Sequence, residues 1–399
     1  MGKLIKGLGY SIVGLIVLAG LGYWAIGPDW RALLKDPPSG NDVLFWSQGQ
    51  REAGFRMMDK IPMIIQSRKI PAGDQVLEFG TGEPLDLGMD MDALMEELNH
   101  AALVIIQDGK IRLEKYGLGF GPEGRWTSFS VAKSLTSTLV GAAIKDGYIE
   151  SLDDKVSDYI EGLQGSPYDD VAIHELLTMT SGVGWNEDYE DPNSDVANFL
   201  QQVPEGDEAA IVTYMKGLSR AHPPGEVWNY STGETNLIGV LVNEATGRSL
   251  AEYLSEKVWA AYGMQQDASW LIGPDEREIS GCCIQAATRD FARFGQFIMD
   301  GAMIDGESIV PDGYLDLATS NQTHEGDEGY GYQWWITSPG TFEARGIFGQ
   351  GIFIDPGRRL IIASNSNWTT AIGYRDGEGQ RRAEFYRAVQ AAIDSESAN

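Results

Sequence analysis

Ser130-Val131-Ala132-Lys133 sets a hydroxyl and an amine three residues apart, and Ser130 is the only serine in the chain with lysine at that spacing. A hydroxyl attacks poorly at neutral pH without a nearby base, and an i,i+3 pair on a helix shares one face. The pair can therefore make a nucleophile for acyl transfer. S-x-x-K also arises by chance, and a serine near a helix start is commonly just a cap, so two later segments carry weight. Asn229-Tyr230-Ser231-Thr232-Gly233 offers a phenol able to shuttle protons between serine, lysine and a leaving group. Ala344-Arg345-Gly346-Ile347-Phe348-Gly349-Gln350 reads as a glycine-punctuated strand edge. Glycine there lets backbone approach a ligand, so that an N–H joins that of Ser130 in holding an oxyanion.

These segments need elements to hold them. Apolar positions Val131, Leu135, Leu139, Ala142, Ala143 and Ile149 predict a helix over residues 131–149, with Gly147 suited to its end and Ser130 at its start. Residues 102–106 and 110–116, joined at Asp108-Gly109, predict a hairpin. Helical patterns dominate residues 151–281, for instance 174–179 and 235–245, and a further helix is predicted over 288–301. Strands return at 331–336, 342–347, 352–354 and 360–363, followed by an amphipathic helix over 381–393. Strands from both ends of the chain with helices between them predict an α/β (α+β) domain: an antiparallel sheet flanked by helices, plus a helical lobe.

With 399 residues and 43% hydrophobic composition, the chain can bury a large core. Its formal net charge of −28 excludes a broad basic surface for nucleic acid. The two cysteines, Cys282 and Cys283, are adjacent and cannot close a loop that constrains the unfolded chain, so they leave the redox compartment open. His100, His174, His222 and His324 lie far apart with no metal-ligand spacing, so no metal or cofactor is expected. Residues 119–124 match G-x-G-x-x-G in letters only, since no βαβ unit surrounds them and a proline interrupts them. No G-x-S-x-G elbow occurs. The acidic stretch 187–195 lacks a calcium-loop pattern and reads as a solvated loop. Lys3 and Lys6 precede an apolar run over residues 8–26, which is expected to be an N-terminal transmembrane anchor placing the protein in an inner membrane with its catalytic domain outside. The expected organisation is an N-terminal membrane anchor or uncleaved signal over 1–27, a linker and lead-in over 28–93, and a catalytic domain over 94–399.

Taken in order, the three segments resemble the serine β-lactamase and penicillin-binding-protein superfamily, with its S-x-x-K, Y-x-N and K-T-G elements, and in particular the class C-like esterase and amidase branch. The resemblance runs from about residue 94 to the C-terminus. It includes Glu175-Leu176-Leu177-Thr178-Met179-Thr180-Ser181-Gly182-Val183, Ala287-Thr288-Arg289-Asp290-Phe291-Ala292-Arg293-Phe294-Gly295 and Gly329-Tyr330-Gly331-Tyr332-Gln333-Trp334-Trp335. Two departures stand out: Thr232 replaces the usual Asn, and Ala344-Arg345-Gly346 replaces Lys-Thr-Gly or His-x-Gly. The missing Lys or His removes the usual cationic contact for a β-lactam carboxylate, although Arg345 partly replaces it. The Ala-Arg-Gly-Ile form is similar to the 6-aminohexanoate-dimer (nylon-oligomer) hydrolases. That likeness implies catalytic Ser130, Lys133 and Tyr230, an oxyanion hole from the N–H groups of Ser130 and Ile347, and substrate contacts from Gly346 and Arg345. It further implies a loop carrying Tyr189 near the scissile nitrogen and Asp195 at the substrate amine. The expected substrate is a small amide or ester. Carboxylesterase, peptidoglycan-directed peptidase and non-turnover penicillin-recognising protein are the alternatives.

Overall fold

Strand β1 (His100–Gln107) is apolar at six successive positions, a pattern that fits a strand covered on both faces. A computed structural model, which describes residues 14–15, 17–38, 43–60, 66–323, 329–373 and 375–398, shows why. Val104 and Ile106 point into the core that contains Leu135, Leu139 and Phe291. Leu103 and Ile105 point the other way, into a core with Phe385, Val389 and Ile393. A period of two thus feeds two hydrophobic layers from one strand. The hairpin to β2 (Lys110–Tyr116) turns at Asp108 and Gly109, with φ of 49° and 69°, as a two-residue turn of this hand requires.

The sheet continues with β3 (Trp335–Ser338), β4 (Thr341–Gly346), β5 (Gln350–Asp355) and β6 (Leu360–Ser366). Its order is β3-β4-β5-β6-β1-β2, all antiparallel, with two-residue strands Gly329–Tyr330 and Gly80–Thr81 at the edges. Helices α1 (Val131–Lys145) and α2 (Thr232–Thr246) pack together in the lobe, and α3 (Thr288–Met299) lies on β6, β1 and β5. Helix α4 (Glu378–Ser397) covers the opposite face. The expected sheet, flanking helices and lobe are all present. A second sheet, Gln66–Ile70, Ala268–Ile272, Ile284–Ala286 and Trp126–Thr127, was not legible in the sequence because its strands are two to five residues long.

The family-like segments act as joints. Gln333, at φ 63°, receives Thr235 Oγ1–H on its side-chain oxygen and donates to Leu177 O, while its own carbonyl accepts from Ser134 Oγ. This one residue, two positions before β3, therefore ties α1, α2 and the Leu176-Leu177 segment together through its backbone and side chain. Buried Asp290 accepts the N–H groups of Gln265 and Gln266 and pairs with Arg293 at 2.8 Å. Cys282 and Cys283 are bonded to each other.

The expected membrane anchor is not upheld. Among the described residues no helix is long and apolar enough to cross a membrane, which overturns the transmembrane helix and the inner-membrane location together. The apolar run turns at Ile26, Gly27 takes φ 85°, and the next helix, Gly27–Lys35, carries Asp29, Arg31 and Lys35. Residues 8–13 and 16 of that run lie outside the described residues.

Within the lead-in, the helix Gln48–Met57 is part of the core rather than a tether. Phe55 is fully buried, edge-on to Trp126 and Phe129 at 5.6 and 4.9 Å and 5.5 Å from Phe348. Phe55→Ala should therefore lower unfolding free energy by about 3–5 kcal/mol in denaturant titrations. A loss below about 1 kcal/mol would show that this packing contributes little.

Candidate active site

The turn that carries Ser130 is built by the small sheet. Ser128 N–H donates to Ile284 O at 2.8 Å, and Ile284 N–H donates back to Ser128 Oγ at 2.9 Å. Phe129 then takes φ 42°, a left-handed conformation that costs a non-glycine residue about 1 kcal/mol or more. Helix α1 starts immediately after, with Ser130 at its N-cap position. Its side chain caps nothing, so the hydroxyl is not spent on the helix. That removes the ordinary structural reason for a serine here.

Lys133 follows one turn later and is 1% exposed. Its Nζ donates to Thr232 Oγ1 at 2.9 Å and to the carbonyl of Gly281 at 2.7 Å. Burial pulls the amine down from its usual range to about 8, against the opposing pull of the Glu187 charge. Desolvation disfavours the ammonium, and a neutral amine is what a base requires. The Tyr230 ring centroid lies 5.4 Å from Nζ. Burial first, and then the Glu187 charge, push the Tyr230 phenol well above its usual range, while a hydrogen bond with Ser130 and the Arg345 charge act the other way. Tyr230 therefore stays protonated, able to donate a proton rather than to take one.

The oxyanion side is built from β4. A Cβ on Gly346 would sit 2.5 Å from Ser128 O, so only glycine lets this strand close against the nucleophile turn. Beyond it Phe348 takes φ 58°, and its ring lies 5.6 Å from that of Phe129. The two left-handed residues thus flank the two expected donors: Phe129 precedes Ser130, and Phe348 follows Ile347. Ser130 stands at the N-terminus of α1, where N–H groups have no intrahelical partner, and Ile347 directly follows the last residue of β4. Donors beside a nucleophile are what an oxyanion needs.

The remaining expected residues divide. Tyr189 reaches the site: its hydroxyl donates to Glu187 Oε1 at 2.8 Å, and burial followed by the charges of Glu187 and Tyr230 keep it protonated. Arg345 donates from Nε to Glu343 at 2.6 Å and lies 5.2 Å from the Trp335 ring centroid, within reach to influence Tyr230. Asp195 is engaged elsewhere. One of its oxygens accepts the Asn186 N–H at 2.7 Å and the other the Tyr214 hydroxyl at 2.6 Å, so it braces the loop that carries Glu187 and Tyr189. Tyr230 stacks on Trp335 at 5.4 Å, and Trp228 and Tyr330 complete an aromatic wall.

Sequence reasoning missed two parts of this site. The loop expected to be solvated puts Glu187 inward, where it accepts from Trp185 Nε1, Tyr189, the Thr232 hydroxyl and the Thr232 N–H. Alternation of Trp185, Glu187 and Tyr189 was the available signal. Gly281 contributes a carbonyl, for which a side-chain motif holds no signal.

Comparison with known proteins agrees with this geometry. A profile of the Beta-lactamase family matches residues 91–387. The chain is 29% identical over 297 residues to the 6-aminohexanoate-dimer hydrolase of Paenarthrobacter ureafaciens, covering 70% of this chain and 75% of that one. It is 26% identical over 186 residues to a β-lactamase of Pseudomonas fluorescens, covering 44% of this chain and 48% of the relative. In fold it is similar to a Bacillus anthracis protein put forward as a 6-aminohexanoate-dimer hydrolase, with a TM-score of 0.75 and 22% identity over 87% of this chain and 94% of the other. With its nucleophile turn, buried lysine and glycine-gated strand in place, the chain belongs to the Beta-lactamase family, a serine hydrolase of the β-lactamase and penicillin-binding-protein superfamily.

Proposed function

We propose that this protein hydrolyses small amides or esters through an acyl-enzyme on Ser130, in the manner of the 6-aminohexanoate-dimer hydrolases. The observation that carries the reading is Lys133, a buried amine drawn to about 8, one turn along α1 from a serine whose hydroxyl no cap consumes. Neutral Lys133 takes the Ser130 proton as Oγ attacks the carbonyl carbon. The carbonyl oxygen becomes an oxyanion held by the N–H groups of Ser130 and Ile347. As the C–N or C–O bond breaks, Tyr230 gives its proton to the departing nitrogen or oxygen and takes one from the Lys133 ammonium, which leaves both groups as they began. Water then attacks the Ser130 ester, and the acid is released. Arg345 is shared with Glu343, which weakens it as a free cation for a β-lactam carboxylate and supports a non-lactam substrate.

Because Lys133 must be neutral, kcat/KM for p-nitrophenyl acetate should rise with pH through a limb near 8. Lys133→Ala should abolish the limb and lower turnover by ~10²-fold or more. A flat profile from pH 6 to 9 in the wild type would assign the base to another group.

Tyr189 separates amide from ester chemistry. An amide nitrogen leaves poorly unless protonated, whereas a p-nitrophenolate leaves without help. Tyr189→Phe should slow hydrolysis of a linear aminohexanoate amide by about tenfold, roughly 1.4 kcal/mol of transition-state stabilisation, and leave activated esters almost unchanged. Equal losses on both would make Tyr189 a packing residue. Ester cleavage with no turnover of any amide would favour the carboxylesterase alternative.

A further inference from the structure

The hydrogen bonds around Lys133 have a direction, and that direction originates at Glu187. A neutral lysine amine has two N–H donors and one lone pair. Both donors are used, one on Gly281 O at 2.7 Å and one on Thr232 Oγ1 at 2.9 Å, which leaves the lone pair for an incoming proton. Gly281 O can only accept. A threonine hydroxyl is different, because it can turn its own proton toward a lone pair and block it. Here it does not: Thr232 Oγ1–H donates to Glu187 Oε1, and the Thr232 N–H donates to Glu187 Oε2 at 2.9 Å.

We infer that Glu187 is a positioning residue for the base: by holding the Thr232 hydroxyl proton it keeps Thr232 an acceptor toward Lys133, and its charge balances the ammonium formed when Lys133 takes the Ser130 proton. The inference rests on the proposed Ser130–Lys133 chemistry. It gives a physical role to the threonine that stands where the wider superfamily has asparagine, since a hydroxyl needs a carboxylate to fix its polarity. Tyr189 and Trp185 hold Glu187 in place, at 2.8 Å from the Tyr189 hydroxyl and through Trp185 Nε1.

The charged and titratable neighbours of Lys133 are few. Glu187 faces it through Thr232 and Tyr230 through its ring; Tyr189 and Tyr330 lie behind Tyr230, and Arg345 acts on Tyr230 from β4. Glu234, two residues along α2 from Thr232, is turned to Ser181 and Tyr168 instead. Removing the Glu187 charge therefore lowers the affinity of Lys133 for a proton, because the opposing charge is lost and desolvation remains. The acid limb should move to lower pH.

The test uses the full chain and the rate of Ser130 modification by a fluorophosphonate probe, with p-nitrophenyl acetate turnover, from pH 5.5 to 10. In Glu187→Gln the acid limb should fall by about half a pH unit or more, and the plateau rate should drop by about tenfold with KM little changed. Thr232→Val should lose a similar factor, Thr232→Ser should stay within about threefold of wild type, and Glu187→Gln added to Thr232→Val should cost less than about twofold more. An unmoved limb in Glu187→Gln, additive losses in the double variant, or a change confined to KM would overturn the inference. If Glu187→Gln does not fold, as judged by near-ultraviolet circular dichroism, the Thr232→Val and Thr232→Ser pair decides: equal rates in the two would also overturn it. Failure of the probe to label Ser130 in the wild type would refute the proposed function itself, whereas normal labelling with wild-type behaviour in Glu187→Gln refutes only the role of Glu187.

Discussion

A lysine amine withdrawn from water must either lose its proton or find compensation for its charge, and the lobe of this protein is organised around that requirement at Lys133. Desolvation of an ammonium is costly enough that the group shifts its protonation rather than stay charged and unpaired. Helix α1 supplies the buried position, α2 supplies Thr232, and the turn between the small-sheet strands Ala268–Ile272 and Ile284–Ala286 supplies the Gly281 carbonyl. Each of the three comes from a different part of the chain. Their convergence is maintained by joints such as Gln333, whose backbone and side chain bind α1, α2 and the Leu176-Leu177 segment at once.

The same economy governs the oxyanion side. Two phenylalanines in left-handed conformation, Phe129 and Phe348, stand next to Ser130 and Ile347, whose N–H groups are the expected oxyanion donors. Such strain persists only where packing over-determines it. Here Phe55, from the lead-in helix, touches both rings, and the Arg51 guanidinium lies 4.3 Å from the Phe348 ring centroid while donating to Trp368 O and Asn367. The lead-in thus lies outside the span matched by the family profile, yet its packing supports the site within that span.

Much of the site was legible because its chemistry is written locally. Ser130 and Lys133 are joined by one turn of helix, so their spacing alone predicts a shared face. Gly346 was legible for a similar reason, since glycine at a strand edge announces a close approach. The partners of Asp195 were not, because the local sequence does not record that it accepts the Asn186 N–H and the hydroxyl of Tyr214, which comes from the helix Ala210–Met215. Hydropathy predicts an anchor over residues 8–26, whereas among the described residues no helix is long and apolar enough to cross a membrane.

By itself the sequence singled out Ser130 and Lys133 as a candidate nucleophile and base, Tyr230 as a candidate proton relay, Gly346 as a close approach and residues 102–116 as a hairpin, all of them readings of residues within a few positions of one another. Tertiary structure alone decided that Glu187 turns inward to reach Thr232, 45 residues away, that Gly281 lends its carbonyl to Lys133, 148 residues away, and that Phe55 braces both strained phenylalanines. The physical reason is that a hydrogen bond or a ring contact depends on distance in space, while residue types and local periodicity constrain only the chain's immediate surroundings.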